Sequence, residues 1–284
     1  MQVISTIDGF RAARAGFGQL GLVPTMGFLH EGHLSLVRRA RGECGAAAAS
    51  IFVNPTQFAP TEDLARYPRD VERDLALLRE AGTDLVFAPD VAEMYPSGFA
   101  TRIEVGAIGE RLEGAIRPGH FSAVATVVCK LLGITRPERA YFGQKDAQQS
   151  VVVRRVVRDL DLPVEIVVAP TVREADGLAL SSRNVYLDPA QRAAAPALYR
   201  ALCAAAGLAR DGERRARVLT AAVRDAVAAV PGFTLDYASL VDAGSFADRD
   251  TLAGAPAFLV VAVRAGATRL LDNLLLDERE LPPG

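Results

Sequence analysis

The chain has 284 residues and a mass of 30.2 kDa, which predicts one large domain or two modest ones. Half of the residues are hydrophobic and the mean hydropathy is +0.17, so a buried core is expected and the composition argues against disorder. Lys and Arg number 32 against 34 Asp and Glu, a formal charge of −2. This balance argues against nucleic acid as the main partner, because a polyanion needs a positive field.

The cellular compartment is predicted from the N-terminal residues, the longest apolar stretch near the end of the chain and the spacing of the cysteines. Residues 1–8 have neither a basic region nor an unbroken apolar run, so no secretory signal is expected. The apolar stretch 257–263 stops at Arg264 and is too short to cross a bilayer. Cys44, Cys129 and Cys203 are widely spaced and no CxxC occurs, which predicts neither a disulfide framework nor a zinc knuckle. We expect a soluble, reduced, cytoplasmic protein without a nucleic-acid or membrane partner.

The first 170 residues alternate short apolar runs with helical periodicity. The apolar runs predict strands at 20–24, 46–53, 85–88, 140–142 and 164–169, and the periodic segments predict helices at 33–40, 70–81, 121–133 and 146–159. Such alternation builds a parallel sheet, because parallel neighbours need a crossover connection. We therefore predict an α/β fold with a doubly wound parallel sheet, whose ligands bind outside the carboxyl ends of the strands.

The pattern changes after about residue 185. Helices are predicted at 190–209 and 213–230, followed by strands at 235–241, 257–263 and 269–276. Helices followed by strands indicate a smaller α+β unit rather than more of the same sheet. We place the two domains at 1–171 and 172–284.

The strongest motif is PTMGFLHEGH at residues 24–33, where a strand ends, a glycine permits a close turn and a helix begins. His30 and His33 are thereby placed at the positive end of a helix, which favours phosphate. A protonated imidazole there can neutralise charge that builds on a transferring phosphoryl group. Two alternatives stay open: surface histidines on a turn, or a metal pair, although no third ligand of the usual kind is nearby.

Two further loops follow predicted strands. FVNPTQF at 52–58 offers Asn54 and Gln57 as neutral donors and acceptors for a small polar substrate, although Asn-Pro is also a common turn starter. FGQKDAQQ at 142–149 repeats the order of strand, glycine turn and helix start, and its Lys145 can hold a phosphate oxygen. Asp146 is equally explained as an acid in the first turn of a helix.

The fourth segment, VREADGLALSSRN at 172–184, places two hydroxyl side chains before Arg183, a set suited to clamping a triphosphate. Its alternative interpretation is a capped connection between domains. The chain contains neither the GxxxxGK[ST] nor the GxGxxG phosphate-binding pattern, and no Ser/His/Asp or Cys/His order that indicates a hydrolase.

The four motifs, in this order and over nearly the whole chain, resemble the pantothenate synthetases, ATP-dependent ligases of the HxGH nucleotidyltransferase superfamily. Supporting matches are DLARYPR at 63–69, RPGHF at 117–121 and TRLLDN at 268–273. The resemblance implies a Rossmann-like N-terminal domain, a smaller C-terminal lid and a homodimer. It also implies that pantoate attacks the α-phosphate of ATP, and that the amine of β-alanine then displaces AMP from pantoyl adenylate.

The resemblance assigns roles to residues of the matched motifs. It makes His33 the favoured catalytic residue, with His30 and Lys145 beside it on the nucleotide phosphates. The ATP-binding set is Pro24, Thr25, Met26, Gly27, His30, His33, Gly143, Lys145, Asp146, Val172, Leu180, Ser181, Ser182 and Arg183. The pantoate and β-alanine set is Asn54, Gln57, Tyr67, Arg117, His120 and Gln149. Mg²⁺ is expected with ATP and Asp74 is its predicted ligand, although Arg73 stands where the family often has an acid.

Two other functions are alternatives to the ligase. An enzyme that transfers a nucleotidyl group to a phosphate acceptor would share HxGH and the sheet, but it does not predict FVNPTQF and SSRN together. A nucleotide-binding regulator without catalysis is the second alternative. The presence of His30, His33, Lys145 and Arg183 together argues against it.

Overall fold

The computed structural model describes residues 1–58 and 64–277. Asp63, which belongs to one of the matched segments, lies outside the described residues. The chain divides into two compact units: residues 1–143 with 152–170, and residues 144–151 with the chain from residue 171 onward. The predicted domain boundary is 171/172, a division that assigns the segment 144–151 to the first domain.

The first unit is built on a parallel sheet. Six strands within residues 1–58 and 64–170 are hydrogen-bonded in the order β1-β4-β3-β2-β5-β6. The strands are β1 (Gln2–Ile4), β2 (Gly21–Thr25), β3 (Ala47–Ile51), β4 (Leu85–Phe87), β5 (Arg139–Gly143) and β6 (Glu165–Ala169). The predicted α/β class with a Rossmann-like parallel sheet is confirmed.

The chain reverses its direction across the sheet at β2, which has β3 on one side and β5 on the other. β2 pairs with β3 over all five residues, but with β5 only through Gly21↔Arg139 and Leu22↔Ala140. Residues 23–25 and 141–143 are therefore not paired with each other. Ligands of open parallel sheets bind outside the carboxyl ends of the strands at such a reversal point, so the loop that follows β2 comes first as the candidate site of this unit.

Helices connect the strands of this unit. They are α1 (Ile7–Arg14), α2 (Glu31–Cys44), α3 (Val71–Glu80), α4 (Val91–Met94), α5 (Glu113–Ile116), α6 (His120–Thr135) and α7 (Ala147–Asp159), whose first residues, 147–151, are grouped with the second unit. Local sequence sets the helix ends: Asp70 accepts the N–H of Arg73 at the start of α3, and Gly45 ends α2 in the left-handed conformation. The apolar face of α2, including Leu34, packs into the core above β2 and β3.

The second unit is a small α+β arrangement. Helices α8 (Pro189–Ala194), α9 (Ala197–Arg210) and α10 (Ala216–Ala228) are followed by β7 (Phe233–Asp242), β8 (Ala257–Ala265) and β9 (Thr268–Leu276). Within the described chain from residue 171 to 277, these strands form an antiparallel sheet in the order β7-β8-β9. α9 and α10 bury their apolar faces against it.

The structure differs from the predicted elements in several places. The single helix predicted at 190–209 is two helices, because Pro196 has no N–H to continue the first and immediately precedes the second. β1, α1 and the one-turn helices α4 and α5 were not predicted. β1 is three residues long and lies at the sheet edge beside β4, so it carries little periodic signal.

None of the helices within residues 1–58 and 64–277 combines the length and apolarity that crossing a bilayer requires.

Candidate functional site

The end of β2 is tied to its neighbour by a hydroxyl. The Thr25 hydroxyl donates to the Ser50 carbonyl at 2.6 Å and accepts the backbone N–H of Gly27 at 3.1 Å. Pro24 lies beside Thr25 in the strand, and Met26 follows it in the turn. The first residues of the predicted ATP loop are therefore held to β3 before the helix begins.

The turn between β2 and α2 uses two consecutive residues in the left-handed region. Gly27 has a φ of +80° and Phe28 a φ of +52°. A Cβ at Gly27 would stand 3.0 Å from Asp74 Oδ2, so this position needs glycine for both conformation and space. The left-handed conformation is costly at Phe28, so surrounding contacts must hold it there.

Asp74 supplies those contacts. Its two oxygens accept the backbone N–H groups of Phe28 and Leu29, each at 2.7 Å, and its side chain is 1% exposed. Burial raises the pKa of Asp74, and the two N–H donors oppose that shift only in part. The guanidinium of Arg73 lies 5.5 Å from the centre of the Phe28 ring, above the same turn.

The two histidines of the motif stand at the start of α2. His30 precedes the helix in extended backbone and His33 lies in its first turn, with ring centroids 4.1 Å apart. The backbone N–H of His30 points at His33 Nδ1 at 3.4 Å. A neutral His33 ring that accepts there carries its proton on Nε2, the form that can donate to a phosphate oxygen.

The loop after β3 holds Gln57 through its side chain. Asn54 is 1% exposed, and its amide donates to Gln57 Oε1 at 2.9 Å. Asn54 Oδ1 accepts from the hydroxyls of Tyr95 and Thr56, both at 2.9 Å. The alternative of a plain turn is partly right, since Asn54 also caps the 3₁₀ turn Pro55–Gln57. Asn54 thus both caps this turn and orients the side chain of Gln57.

Arg117 and His120 hold the backbone of Gln57. The Gln57 carbonyl accepts from Arg117 Nη2 at 3.1 Å and lies 3.0 Å from His120 Nδ1. Arg117 Nη1 is 3.0 Å from His120 Nε2, so a consistent arrangement has His120 donating through Nδ1 and accepting through Nε2. Tyr67, also predicted as a substrate contact, is half-buried with its ring edge-on to Phe58 at 5.7 Å.

The second unit contains a pocket that joins two of the predicted motifs. Lys145, in the 3₁₀ turn Gln144–Asp146 that follows β5, lines it together with Ser181 and Arg183. Gly143 ends β5, and Asp146 is exposed with a carboxylate oxygen 3.8 Å from Lys145 Nζ. Gln149 is half-buried in the first turn of α7.

Residues 172–180 form a narrow loop. The N–H of Leu180 donates to the Val172 carbonyl at 3.0 Å, and Arg173 and Ala179 form an antiparallel bridge. Ser181 then caps the 3₁₀ turn Ser182–Tyr186 by accepting the N–H of Arg183 at 3.2 Å. The structure thus shows the cap that the alternative interpretation expects at Ser181, while Arg183 lines the pocket.

Several polar residues of the second unit were not assigned a role from the sequence. Asp272 is 4% exposed, and its carboxylate accepts hydrogen bonds from both terminal nitrogens of Arg173 at 2.6 and 2.9 Å. The Arg173 guanidinium lies 3.7 Å from the centre of the Tyr199 ring. Asp272 and Tyr199 both line the pocket, as does Arg269. The available signal was the Asp-Asn pair between two runs of leucine in β9.

A metal site built only from protein side chains is not present among residues 1–58 and 64–277: no group of three or more His, Cys, Asp or Glu side chains is arranged to hold an ion. The pair His30 and His33 has no further ligand of this kind there. Asp74 is buried and both of its oxygens accept backbone N–H groups, so in this arrangement it does not fit the predicted role of a Mg²⁺ ligand.

Comparison with known proteins gives one consistent family. The family model for pantoate-beta-alanine ligase matches residues 2–275. The chain is 60% identical to a pantothenate synthetase of Chloroflexus aggregans, over 97% of this chain and 100% of the relative. It superposes on the crystal structure of pantothenate synthetase from Thermus thermophilus with a TM-score of 0.91 and 54% identity, covering 96% and 99% of the two chains.

A second solved structure was determined with ligands. It is a pantoate-beta-alanine ligase from Francisella tularensis complexed with beta-gamma ATP and beta-alanine. The similarity has a TM-score of 0.78 at 35% identity and covers 97% of both chains.

Proposed function

The chain belongs to the pantoate-beta-alanine ligase family, and from that premise we propose that it condenses (R)-pantoate with β-alanine in an ATP-dependent reaction that yields pantothenate, AMP and pyrophosphate. The observation that carries this proposal is the position of the HxGH loop, which follows the carboxyl end of β2, the strand at which the order of the sheet reverses. In the second unit, Lys145 lines a pocket with Arg183. A helix start and a pair of cationic side chains are each suited to binding phosphate.

The reaction has two steps. A carboxylate oxygen of pantoate attacks the α-phosphorus of ATP, and the bond to the β-phosphate breaks to release pyrophosphate. The nitrogen of β-alanine then attacks the acyl carbon of pantoyl adenylate, loses a proton and displaces AMP. The first step concentrates negative charge on phosphate oxygens, and the second depends on holding an uncharged amine against the activated carbonyl.

We assign the charge of the first step to cationic and N–H donors. His33, with its proton on Nε2, donates to a phosphate oxygen from the start of α2, where the positive end of the helix dipole favours anions. His30 lies beside it. Lys145 and Arg183, which line one pocket, bind the phosphates as a point charge and as a planar fork respectively.

Pantoate binding is assigned to Gln57 and Gln149, and Gln57 also contacts β-alanine. The contacts of Gln57 support this role: its Oε1 is fixed by Asn54, and its carbonyl is fixed by Arg117 and His120. An amide held in this way presents its NH₂ group in one direction and loses little entropy when it binds a carboxylate or hydroxyl. Asn54, Arg117 and His120 therefore act by positioning Gln57.

Mg²⁺ accompanying ATP is also proposed. Mg²⁺ is commonly held by substrate phosphates and water with only one or two carboxylates, and it supplies additional neutralisation of phosphate charge. Because Asp74 does not fit as its ligand here, no step of the mechanism is assigned to a metal on that residue. The homodimer, the cytoplasmic location and the division into an ATP- and pantoate-binding domain and a lid stay predictions.

The test is pyrophosphate release by the full chain. With ATP and Mg²⁺ supplied, release should require pantoate, and a first turnover should proceed without β-alanine. Incubation with β-alanine and no pantoate is the matched control and should release none. If pantoate triggers no release, the ligase function is refuted. ATP binding without release is the result that a regulator without catalysis would give.

A further inference from the structure

The TRLLDN segment at 268–273 has a polar pair, Asp272 and Asn273, whose purpose the reaction above does not explain. Asn273 lies in β9 and is 2% exposed. Burying an amide is unfavourable unless its donors and acceptor are hydrogen-bonded. The partners of this buried amide therefore indicate what it does.

The partners of this amide in the described part of the chain belong to the Lys145 turn. Asn273 Nδ2 donates to the carbonyls of Gln144 at 2.9 Å and Lys145 at 3.0 Å, and Asn273 Oδ1 lies 3.3 Å from Gln144 Nε2. Only this orientation of the amide satisfies all three contacts, since the reverse would set an oxygen against two carbonyl oxygens. One side chain thus fixes two consecutive peptide groups of the turn.

The geometry points to Asn273 as a positioning residue for Lys145, an inference that rests on the proposed function. A lysine side chain is a flexible four-carbon stem, and ordering it costs much conformational entropy. Its ammonium group is therefore placed reproducibly only if the backbone that carries it is fixed. Asn273 fixes that backbone at the carbonyl of Lys145 itself. Lys145 then lines the pocket with Arg183, where the phosphates of ATP are proposed to bind.

Asp272 serves the neighbouring loop in a similar way. Its carboxylate accepts hydrogen bonds from both terminal nitrogens of Arg173, and Arg173 Nη1 also donates to the Gly177 carbonyl at 3.1 Å. Asp272 Oδ1 accepts the backbone N–H of Asn273 at 2.7 Å. Adjacent residues of one strand thus hold the turn that carries Lys145 and the loop that leads to Arg183.

The experiment compares Asn273→Asp, Lys145→Ala and the double variant in the full chain. Aspartate has the same shape as asparagine, but it places a carboxylate oxygen where Asn273 Nδ2 donates to the carbonyls of Gln144 and Lys145. We expect Asn273→Asp to weaken ATP binding by calorimetry, and to lower kcat for pantoate-dependent pyrophosphate release, by about 10- to 100-fold, because small displacements of a catalytic group cost that much. In the Lys145→Ala background the same change should cost less than about 2-fold, since the group it positions is absent.

A matched control separates positioning from stability. Leu276→Ala removes a core side chain from the same strand, so it should lower the melting temperature while ATP binding and kcat stay within about 2-fold of the original. Asn273→Ser replaces Asn273→Asp if the latter fails to fold. Equal losses from Asn273→Asp with and without Lys145 would overturn the inference. If the original protein binds ATP without releasing pyrophosphate, the proposed function fails, and the ATP affinities from calorimetry still decide the role of Asn273. If the original protein binds no ATP, the proposed function and the role of Asn273 both fail.

Discussion

The carboxylate of Asp74 accepts the backbone N–H of Leu29 at 2.7 Å, which joins α3 to the HxGH loop across 45 positions of sequence. Its other oxygen accepts the N–H of Phe28, a residue held at positive φ. The conformation of the loop that precedes His30 and His33 thus depends on a single buried side chain outside the motif.

Asp74→Asn should damage this loop. The amide places an NH₂ group against one backbone N–H, and leaving that buried donor unpaired lowers the free energy of unfolding by about 1–3 kcal/mol. We expect kcat to fall as well, because His33 follows the displaced turn, and both changes are measured by denaturant unfolding and steady-state kinetics well below the melting temperature. Glu72→Gln, in the exposed first turn of α3, is the control and should change neither. Normal kcat in Asp74→Asn would show that the loop holds its shape without the carboxylate.

His33→Ala should lower kcat by about 10²- to 10⁴-fold, the range contributed by a positioned proton donor. The far-ultraviolet circular dichroism should be unchanged, since His33 is half-buried near the start of α2. Arg38→Ala, on the exposed side of the same helix, serves as the control for changes in α2 itself. An unchanged turnover number in His33→Ala would remove this residue from its role.

The contacts of Asn54 predict an order of effects on pantoate binding. Asn54→Asp replaces the donor to Gln57 Oε1 with an oxygen and should raise KM for pantoate by about 10-fold or more. Tyr95→Phe removes only one of the donors to Asn54 Oδ1, and Thr56 still supplies others, so KM should rise less than about 3-fold. Steady-state kinetics with pantoate varied tests the ranking. The reverse order would mean that Gln57 is not oriented by this amide.

Acid stability should depend on Glu213, just before α10. The hydrogen bond from the Arg215 side chain, together with the backbone N–H groups of Arg215 and Arg214, lowers the pKa of Glu213 to about 2. An acid with a lowered folded-state pKa stabilises the protein above its unfolded pKa of roughly 4.3, and that stabilisation is lost as the pH falls towards the folded value. Glu213→Gln should therefore flatten the fall in the free energy of unfolding between about pH 4.3 and pH 2.

Denaturant titrations at a series of pH values measure this slope. Arg215→Gln should flatten it less than Glu213→Gln does, because the backbone donors remain. A slope in Glu213→Gln identical to that of the original protein would contradict the assignment.

The sequence by itself determined the sheet class, most helices and strands, and the residue types that the four loops carry. These features are encoded locally, in the period of apolar residues and in the Gly, Pro, Asn and Asp residues at element ends. The segment after α8 shows the same rule in detail, because a single Pro196 divides what periodicity alone reads as one helix.

Only the tertiary structure decided which residues support those loops. Asp74 binds Leu29 across 45 positions, Arg117 binds Gln57 across 60, and Asn273 binds Gln144 across 129. Partners so distant are brought together by the order in which strands join a sheet and by the packing of helices onto it, and local periodicity contains no record of that order. For this reason the contacts of Arg117 and His120 with the Gln57 carbonyl were not predicted, and Asn273 received no role until its amide partners were known.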